Sequence, residues 1–157
     1  MTPQQIFEGC VTAYRNGDYA LALEYADQLL HLSPDHPDTN YIAALSHARL
    51  GNVSAAEKAF AVALKGHPKP GEVLCNQARM YRDHGMLESA FDTVRKALDA
   101  TPKDLAAGLL LANLFELAGE FGDAAQAYQA VLNDDPDNIS AHAGLARGYE
   151  QTVYSDQ

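Results

Sequence analysis

Histidine and cysteine are the residue types in this sequence that most readily bind metals or act as nucleophiles, and their spacing favours neither role. The histidines form no HExxH motif and no pair at metal-binding spacing on one helix face. Cys10 and Cys75 form no CxxC pair, so neither a zinc site nor a thioredoxin-type redox site is indicated. We therefore expect two reduced, buried or half-buried thiols, and solvated or helix-capping histidines. The histidines concerned are His31, His36, His47, His67, His84 and His142.

Other catalytic motifs give no stronger signal. The sequence contains no GxSxG, no Walker loop and no GxGxxG. An acidic loop at Asp134, Asp135 and Asp137 lacks the regular oxygen-ligand spacing and the terminal Glu of a calcium loop. We therefore expect no enzymatic activity, no cofactor and no metal from these residues.

The charge balance restricts the class of partner. The formal net charge is -10, from 11 Lys and Arg against 21 Asp and Glu. An acidic surface repels nucleic-acid phosphates and anionic membranes, so we expect neither as a partner. The N-terminus has no secretory pattern, and no apolar run is long enough to insert into a bilayer. We expect a cytoplasmic protein, and a periplasmic one if a signal peptide has been removed.

Three columns of residues recur with a period of 34, which is the interval from 17 to 51, from 51 to 85 and from 85 to 119. A glycine suits a reversal between helices because it adopts a left-handed backbone at little cost. An alanine suits close helix approach, and a proline prevents a helix from continuing. The columns are Gly17, Gly51, Gly85 and Gly119; Ala22, Ala56, Ala90 and Ala124; and Pro34, Pro68, Pro102 and Pro136.

Between these columns the apolar spacing is helical. Tyr19, Ala22, Leu23 and Ala26 follow an i, i+3, i+4, i+7 pattern, and the third copy repeats it. Side chains that can accept a hydrogen bond from the first turn precede the predicted helices. The predicted N-caps are Thr2, His36, Asp104 and Asn138 for the first helices of the copies, and Asp18 and Asp123 for second helices.

This pattern resembles the tetratricopeptide-repeat (TPR) family over almost the whole chain. The small position of the family's first helix holds Cys10, Ala44, Ala78 and Ala112, and Trp is absent. The resemblance implies an all-α, right-handed superhelical solenoid of antiparallel helix pairs in one domain. Its repeats are approximately 3–36, 37–70, 71–104 and 105–138. An extra helix at 139–152 is either a cap or the start of a truncated fifth repeat, and position 153 of the glycine column holds Val153.

The resemblance also implies that the first helices line a concave groove. We predict that this groove binds a peptide or a helix of a partner protein, because arginine forks and asparagine amides bind carboxylates and backbone amides. Arg79, Asn113 and Arg147 share one repeat position, and the same register adds Cys75 and Leu110. The predicted groove residues are Phe7, Val11, Tyr14, Tyr41, Leu45, Arg49, Asn76, Arg79, Arg82, Asn113 and Arg147.

Alternatives stay open for these residues and for the function. The arginines could lie on a solvated face, with Arg79 or Arg82 paired to a nearby carboxylate, and the aromatic residues could pack between helices. The carboxylate clamp of chaperone adaptors is not expected, since only Asn76 fits its pattern. Beside an interaction scaffold or adaptor, the chain could be the N-terminal adaptor of a larger enzyme, such as a bacterial transferase. It could also self-assemble into a homo-oligomer through exposed solenoid ends.

Overall fold

A computed structural model describes residues 1–155, with side chains to residue 151, and helices form all the regular secondary structure of that range. The chain divides into an N-terminal unit, Met1–Met80, and a C-terminal unit that begins at Tyr81. Within the first unit α1, α2, α3 and α4 pack in sequence, and within the second α6, α7, α8 and α9 do so. The helices are α1 (Pro3–Arg15), α2 (Tyr19–Leu32), α3 (Pro37–Arg49), α4 (Val53–Leu64), α5 (Pro70–Asp83), α6 (Leu87–Ala100), α7 (Leu105–Leu117), α8 (Phe121–Asp134) and α9 (Ile139–Ser155).

The glycine column forms the turns between paired helices, as the sequence predicts. All four glycines have a positive φ, between 73° and 81°. An L side chain rarely adopts that backbone conformation, so the glycine allows the chain to reverse within a few residues. Each glycine amide donates a hydrogen bond to a carbonyl of the preceding helix, for example Gly17 to Tyr14 at 3.0 Å. The turn therefore also satisfies a helix C-terminus.

The small-residue columns lie at the closest helix contacts. Ala22, Ala56 and Ala90 are fully buried, and Ala124 is 3% exposed. Cys10 and its three alanine counterparts are also fully buried. Ala146, at the same repeat position in α9, is exposed. Within residues 1–155 no second helix follows α9, so nothing in that range packs on this position.

Most of the predicted caps are confirmed. Thr2 and Gln5 form a capping box, and the side chains of His36, Asp104 and Asn138 each accept an amide hydrogen bond. Asp18 accepts from the Leu21 amide at 3.1 Å. The prediction for Asp123 is wrong, because α8 begins directly after the glycine turn. Asp123 therefore lies inside the first helical turn, where its negative charge interacts favourably with the positive end of the helix dipole.

The last helix is longer than the sequence predicts. It continues past residue 152 to Ser155, so the backbone at position 153 is helical where the other copies have a glycine turn. The side chain of Val153 lies outside the described residues.

Candidate functional site

An apolar cleft, the N-terminal cleft, opens where α1, the end of α2 and the start of α3 meet. Its volume is about 390 Å³. Phe7 forms one wall and meets the edge of His36, with 6.3 Å between the ring centroids. Leu32, at the end of α2, is 68% exposed, which is high for a leucine. The cleft is lined by Pro3, Gln4, Phe7, Leu29, Leu32, Ser33, His36, Asp38 and Thr39.

A line of polar contacts starts at the edge of this cleft. His67 approaches Asp38 with 3.4 Å between Nε2 and Oδ1, and its side chain is only 8% exposed. The Lys69 amide donates to His67 Nδ1 at 3.0 Å, which leaves the proton of a neutral imidazole on Nε2, facing the carboxylate. The His67 ring also meets Tyr41 nearly edge-on, with centroids 5.1 Å apart. His67 thus connects the cleft to Tyr41.

The line continues to two of the predicted polar groove residues. Asn76 Nδ2 donates a hydrogen bond to the Tyr41 hydroxyl, and Arg79 Nη1 donates to Asn76 Oδ1 at 3.0 Å. Burial raises the pKa of Tyr41, and the Glu72 charge adds to this increase, while Asn76 and Arg79 oppose it. The hydroxyl is therefore protonated at neutral pH. Among the described residues of this unit, half-buried Arg79 forms no ion pair.

The other predicted groove residues of this unit are less organised. Tyr14 packs on Tyr19, with ring centroids 5.5 Å apart, so this aromatic residue contributes to packing between helices. Val11 and Leu45 are half-buried, and Arg49 is exposed. Of the aromatic residues in the prediction, Phe7 and Tyr41 therefore combine an accessible surface with the polar line or the N-terminal cleft.

In the C-terminal unit the predicted Arg147 is already bound to a carboxylate. Its guanidinium donates to both carboxylate oxygens of Glu116, at 3.2 Å from Nε and 3.1 Å from Nη2. The Tyr128 hydroxyl also donates to Glu116, and Arg147 donates to that hydroxyl at 3.2 Å. Burial, together with the adjacent Glu116 carboxylate, raises the pKa of Tyr128 to about 12 although Arg147 opposes this. The hydrogen bonds and charge of Glu116 raise the pKa of Arg147.

The remaining predicted residues of this unit are also paired. Arg82 Nε donates to Asp83 at 3.0 Å, and its Nη1 donates to Asn113 Oδ1 at 3.3 Å. The pairing of Arg82 with an adjacent carboxylate is the alternative that the sequence left open. Two residues that the register placed in the groove, Cys75 of the N-terminal unit and Leu110 of the C-terminal unit, are instead buried, at 2% and 3% exposure.

His67 is the residue that the sequence interpretation missed. It was expected to be solvated or capping, and it is instead largely buried between Asp38 and Tyr41. A signal did exist, because the position before each column proline holds Ser33, Thr101 or Asp135 in the other copies. A bulky imidazole in a column of small polar residues indicates a specific contact.

Metal-binding clusters and membrane-spanning helices are absent from the described residues. No group of three or more His, Cys, Asp or Glu within them is arranged to hold a metal ion. Cys10 and Cys75 are both buried, as expected. None of the described helices has the length and apolar character needed to cross a bilayer.

Family models of the tetratricopeptide repeat match most of the chain. One model matches residues 11–73 and 43–105, and a second matches residues 81–148. A curated relative, the small glutamine-rich tetratricopeptide repeat-containing protein 2 of Mycosarcoma maydis, is 30% identical over 97 residues. That stretch is 62% of this chain and 28% of the relative, so the chain spans under a third of that protein.

Solved structures with similar folds cover nearly all of this chain. A tetratricopeptide repeat protein from Parabacteroides merdae gives a TM-score of 0.82 at 21% identity, over 98% of this chain and 61% of that one. MamA from Desulfovibrio magneticus gives 0.79 at 19% identity, over 96% and 85%. A chain of the APC/C hetero-tetramer Cut9-Hcn1 gives 0.76 at 20% identity, over 94% and 30%. At these identities the likeness shows the fold alone, an all-α solenoid.

Proposed function

The chain belongs to the tetratricopeptide-repeat family, and on that premise we propose that its N-terminal unit binds a segment of a partner protein. The observation that carries this proposal is the state of Arg79. Arg79 is half-buried, its guanidinium is oriented by Asn76, and it forms no ion pair among the described residues of its unit. One structure with a similar fold is a chain of the Cut9-Hcn1 hetero-tetramer, so a chain of this fold can be part of a protein complex.

The chemistry of this strip defines the partner segment. A carboxylate of the segment binds Arg79, because charge-assisted hydrogen bonds to a guanidinium are among the strongest that side chains form. An apolar side chain of the same segment enters the N-terminal cleft beside Phe7 and Leu32. Since Asn76 already fixes the guanidinium, less side-chain entropy is lost on binding.

The test is quantitative affinity purification from the native lysate, followed by measurement with the isolated partner peptide. Arg79→Ala should weaken binding of the peptide by about 1.5–3 kcal/mol, which is the free energy that a hydrogen bond to a charged group contributes. Arg147→Ala is the matched control, because its guanidinium already binds Glu116, and it should leave the affinity unchanged.

The cleft is tested by a second matched pair. Leu32 is 68% exposed, and Leu32→Gln should weaken binding of the same peptide. Leu50 is 46% exposed in the same unit, and Leu50→Gln should leave this binding unchanged. Both positions are surface leucines, so neither change should unfold the unit. Equal binding by the wild type, Arg79→Ala and Leu32→Gln would contradict the proposed site.

Self-assembly is a second candidate because α9 presents apolar residues to solvent. Ile139 is 85% exposed and Tyr149 is 72% exposed, and Ala146 lies on the same helix. Light scattering across concentration tests this function. A concentration-dependent mass that Tyr149→Glu abolishes would support it, and a monomer at high concentration would exclude it. The hypothesis that the chain is the N-terminal adaptor of a larger enzyme stays a prediction.

A further inference from the structure

A second cleft, the aromatic cleft, lies between α6 and α7 in the C-terminal unit, apart from the predicted groove residues. Phe91 and Phe115 form a tilted pair, with ring centroids 5.0 Å apart, and both are half-buried. The space beside them measures about 430 Å³, and Glu88, Asp92 and Glu120 line it together with the rings. The cleft therefore combines aromatic surfaces with three carboxylates.

A cation of this chain already lies in the aromatic cleft. The Arg95 guanidinium lies over the Phe91 ring, with Cζ 5.5 Å from the centroid. The face of an aromatic ring carries negative potential and attracts a cation within about 6 Å. Arg95 forms no ion pair within the described part of the chain, although carboxylates line the same cleft. The cleft thus has the shape and potential for a guanidinium, and its carboxylates form no ion pair with the described cations of the chain.

The carboxylates of this cleft have no evident structural use beyond the helix dipole. Glu88, Asp92 and Glu120 are all exposed. Glu120 occupies the N-cap position of α8, yet its side chain makes no capping hydrogen bond. Such carboxylates remain available as acceptors for a cation from outside the chain.

The electrostatic field of the unit favours the same class of ligand. From residue 81 onward the sequence has 5 Lys and Arg against 13 Asp and Glu, a net charge of 5 − 13 = -8. Residues 1–80 have 6 against 8, a net charge of 6 − 8 = -2. Opposite charge accelerates encounter and suppresses partners of the wrong sign. An acidic unit with an aromatic cleft is therefore complementary to a basic segment.

We propose that the aromatic cleft binds an arginine or lysine side chain from a basic segment of another protein. The cation of that segment lies over Phe91 and Phe115 and donates hydrogen bonds to Glu88, Asp92 or Glu120. Arg95 occupies part of this space in the free protein and competes with the incoming cation. The surface is independent of the Arg79 strip, because every residue that carries it lies between 88 and 120.

The first experiment titrates the full chain with a blocked Gly-Arg-Gly-Arg peptide and follows the ring resonances of Phe91 and Phe115 by NMR. The matched probe is the same peptide with citrulline, which keeps the shape of arginine without its charge. The arginine peptide should shift both ring signals to saturation, and the citrulline peptide should not. Absence of saturable shifts with the arginine peptide would overturn the proposal.

The role of Arg95 provides the sharper test. Arg95→Ala should increase the affinity for the arginine peptide, because it removes the competing cation. The expected increase is about two- to fivefold, which corresponds to the free energy of an exposed cation–π contact. Lys96→Ala removes the same charge from the adjacent exposed position of α6 and serves as the control. An equal increase in affinity in the two variants would show long-range attraction alone and would overturn the proposal that the cleft binds the cation.

The carboxylates are tested by two triple variants of equal charge. E88Q/D92N/E120Q removes the carboxylates of the cleft, and D134N/D137N/E150Q removes three exposed carboxylates elsewhere in the same unit. The first variant should lower the affinity for the arginine peptide more than about tenfold. The second should lower it by less than about threefold, because a screened surface charge contributes little. Equal weakening would contradict a specific site. Arg79→Ala should leave this binding unchanged, which separates the result from that of the proposed function.

Discussion

Arg79 and Arg147 occupy the same repeat position two periods apart, 147 − 79 = 2 × 34, yet the structure gives them different states. Arg79 is oriented by an amide and forms no ion pair among the described residues of its unit, whereas Arg147 binds Glu116 at both oxygens. The period determines the helix position at which a side chain lies. Its neighbours, which the period does not fix, determine whether a ligand can use it.

The two units also differ in charge. The N-terminal unit is close to neutral for its size, and the C-terminal unit carries eight of the ten excess negative charges. An acidic ligand therefore meets less repulsion in the first unit, and a basic ligand meets more attraction in the second. The two surfaces that we propose, one in each unit, would therefore prefer ligands of opposite charge.

The largest expected effect tests what the two units share. Ala56→Leu and Ala90→Leu each place extra carbon atoms at a fully buried helix contact, one in each unit. Overpacking of this kind costs about 1–3 kcal/mol of unfolding free energy, and we expect similar losses in both units. Chemical denaturation measures the loss. A tolerated substitution in either unit would mean that its helices do not approach closely at the alanine column.

Gly144→Ala should damage the C-terminal unit selectively. A Cβ at Gly144 would overlap the ring of Tyr128, a buried residue that cannot move away easily. We expect a loss of about 1–2 kcal/mol through overpacking. Gly122→Ala is the control, because nothing lies within 4 Å of its Cβ and its φ is not positive. In thermal melts the control should be stabilised, by up to about 1 kcal/mol.

Stability at alkaline pH should depend on Cys10 in the N-terminal unit and on Tyr128 in the C-terminal unit, over ranges that overlap. Burial raises the pKa of Cys10 from 9.0 to about 11, and that of Tyr128 from 10.0 to about 12. In both cases the folded state holds its proton more tightly, so stability decreases as pH rises from the unfolded pKa towards the folded one. Cys10→Ala should remove the part of the decline between pH 9 and 11, and Tyr128→Phe the part between 10 and 12. Unfolding titrations at each pH measure both parts, and a decline that neither variant alters would contradict these assignments.

The smallest expected effect tests the ion pair alone. Glu116→Gln keeps the shape of the side chain and removes the charge next to Tyr128. The pKa of Tyr128 should decrease from about 12 but remain above 10.0, because burial is the larger cause of its increase. Ultraviolet titration of the phenol, compared with Tyr128→Phe for assignment, measures this change. A pKa that does not move would mean that Glu116 has no influence on the hydroxyl.

The sequence predicts those parts of the structure that depend on short-range chemistry repeated along the chain. The glycine turns, the buried alanines and the caps at Thr2 and Asp104 each follow from a residue and its near neighbours. Asp123 fails as a cap because α8 begins at Phe121, in register with the other second helices, and Asp123 lies three residues after the N-cap position.

The site is less predictable because its contacts join distant residues. Glu116 and Arg147 are 31 positions apart, and their contact also depends on the Tyr128 hydroxyl from a third helix. His67 reaches Tyr41 and Asp38 from a short loop that precedes α5. Side-chain orientation at these points depends on packing that a period of 34 does not encode.

We propose that Arg79 can bind an external carboxylate and that Arg147 cannot, because Glu116 already binds it. The most direct measurement is an NMR titration of the arginine Nε–H signals with blocked glutamate, in the wild type and in Glu116→Gln. We predict that the Arg79 signal shifts on titration in both proteins. We predict that the Arg147 signal shifts only in Glu116→Gln, where its internal carboxylate is missing. A wild type in which Arg147 responds and Arg79 does not would contradict the account.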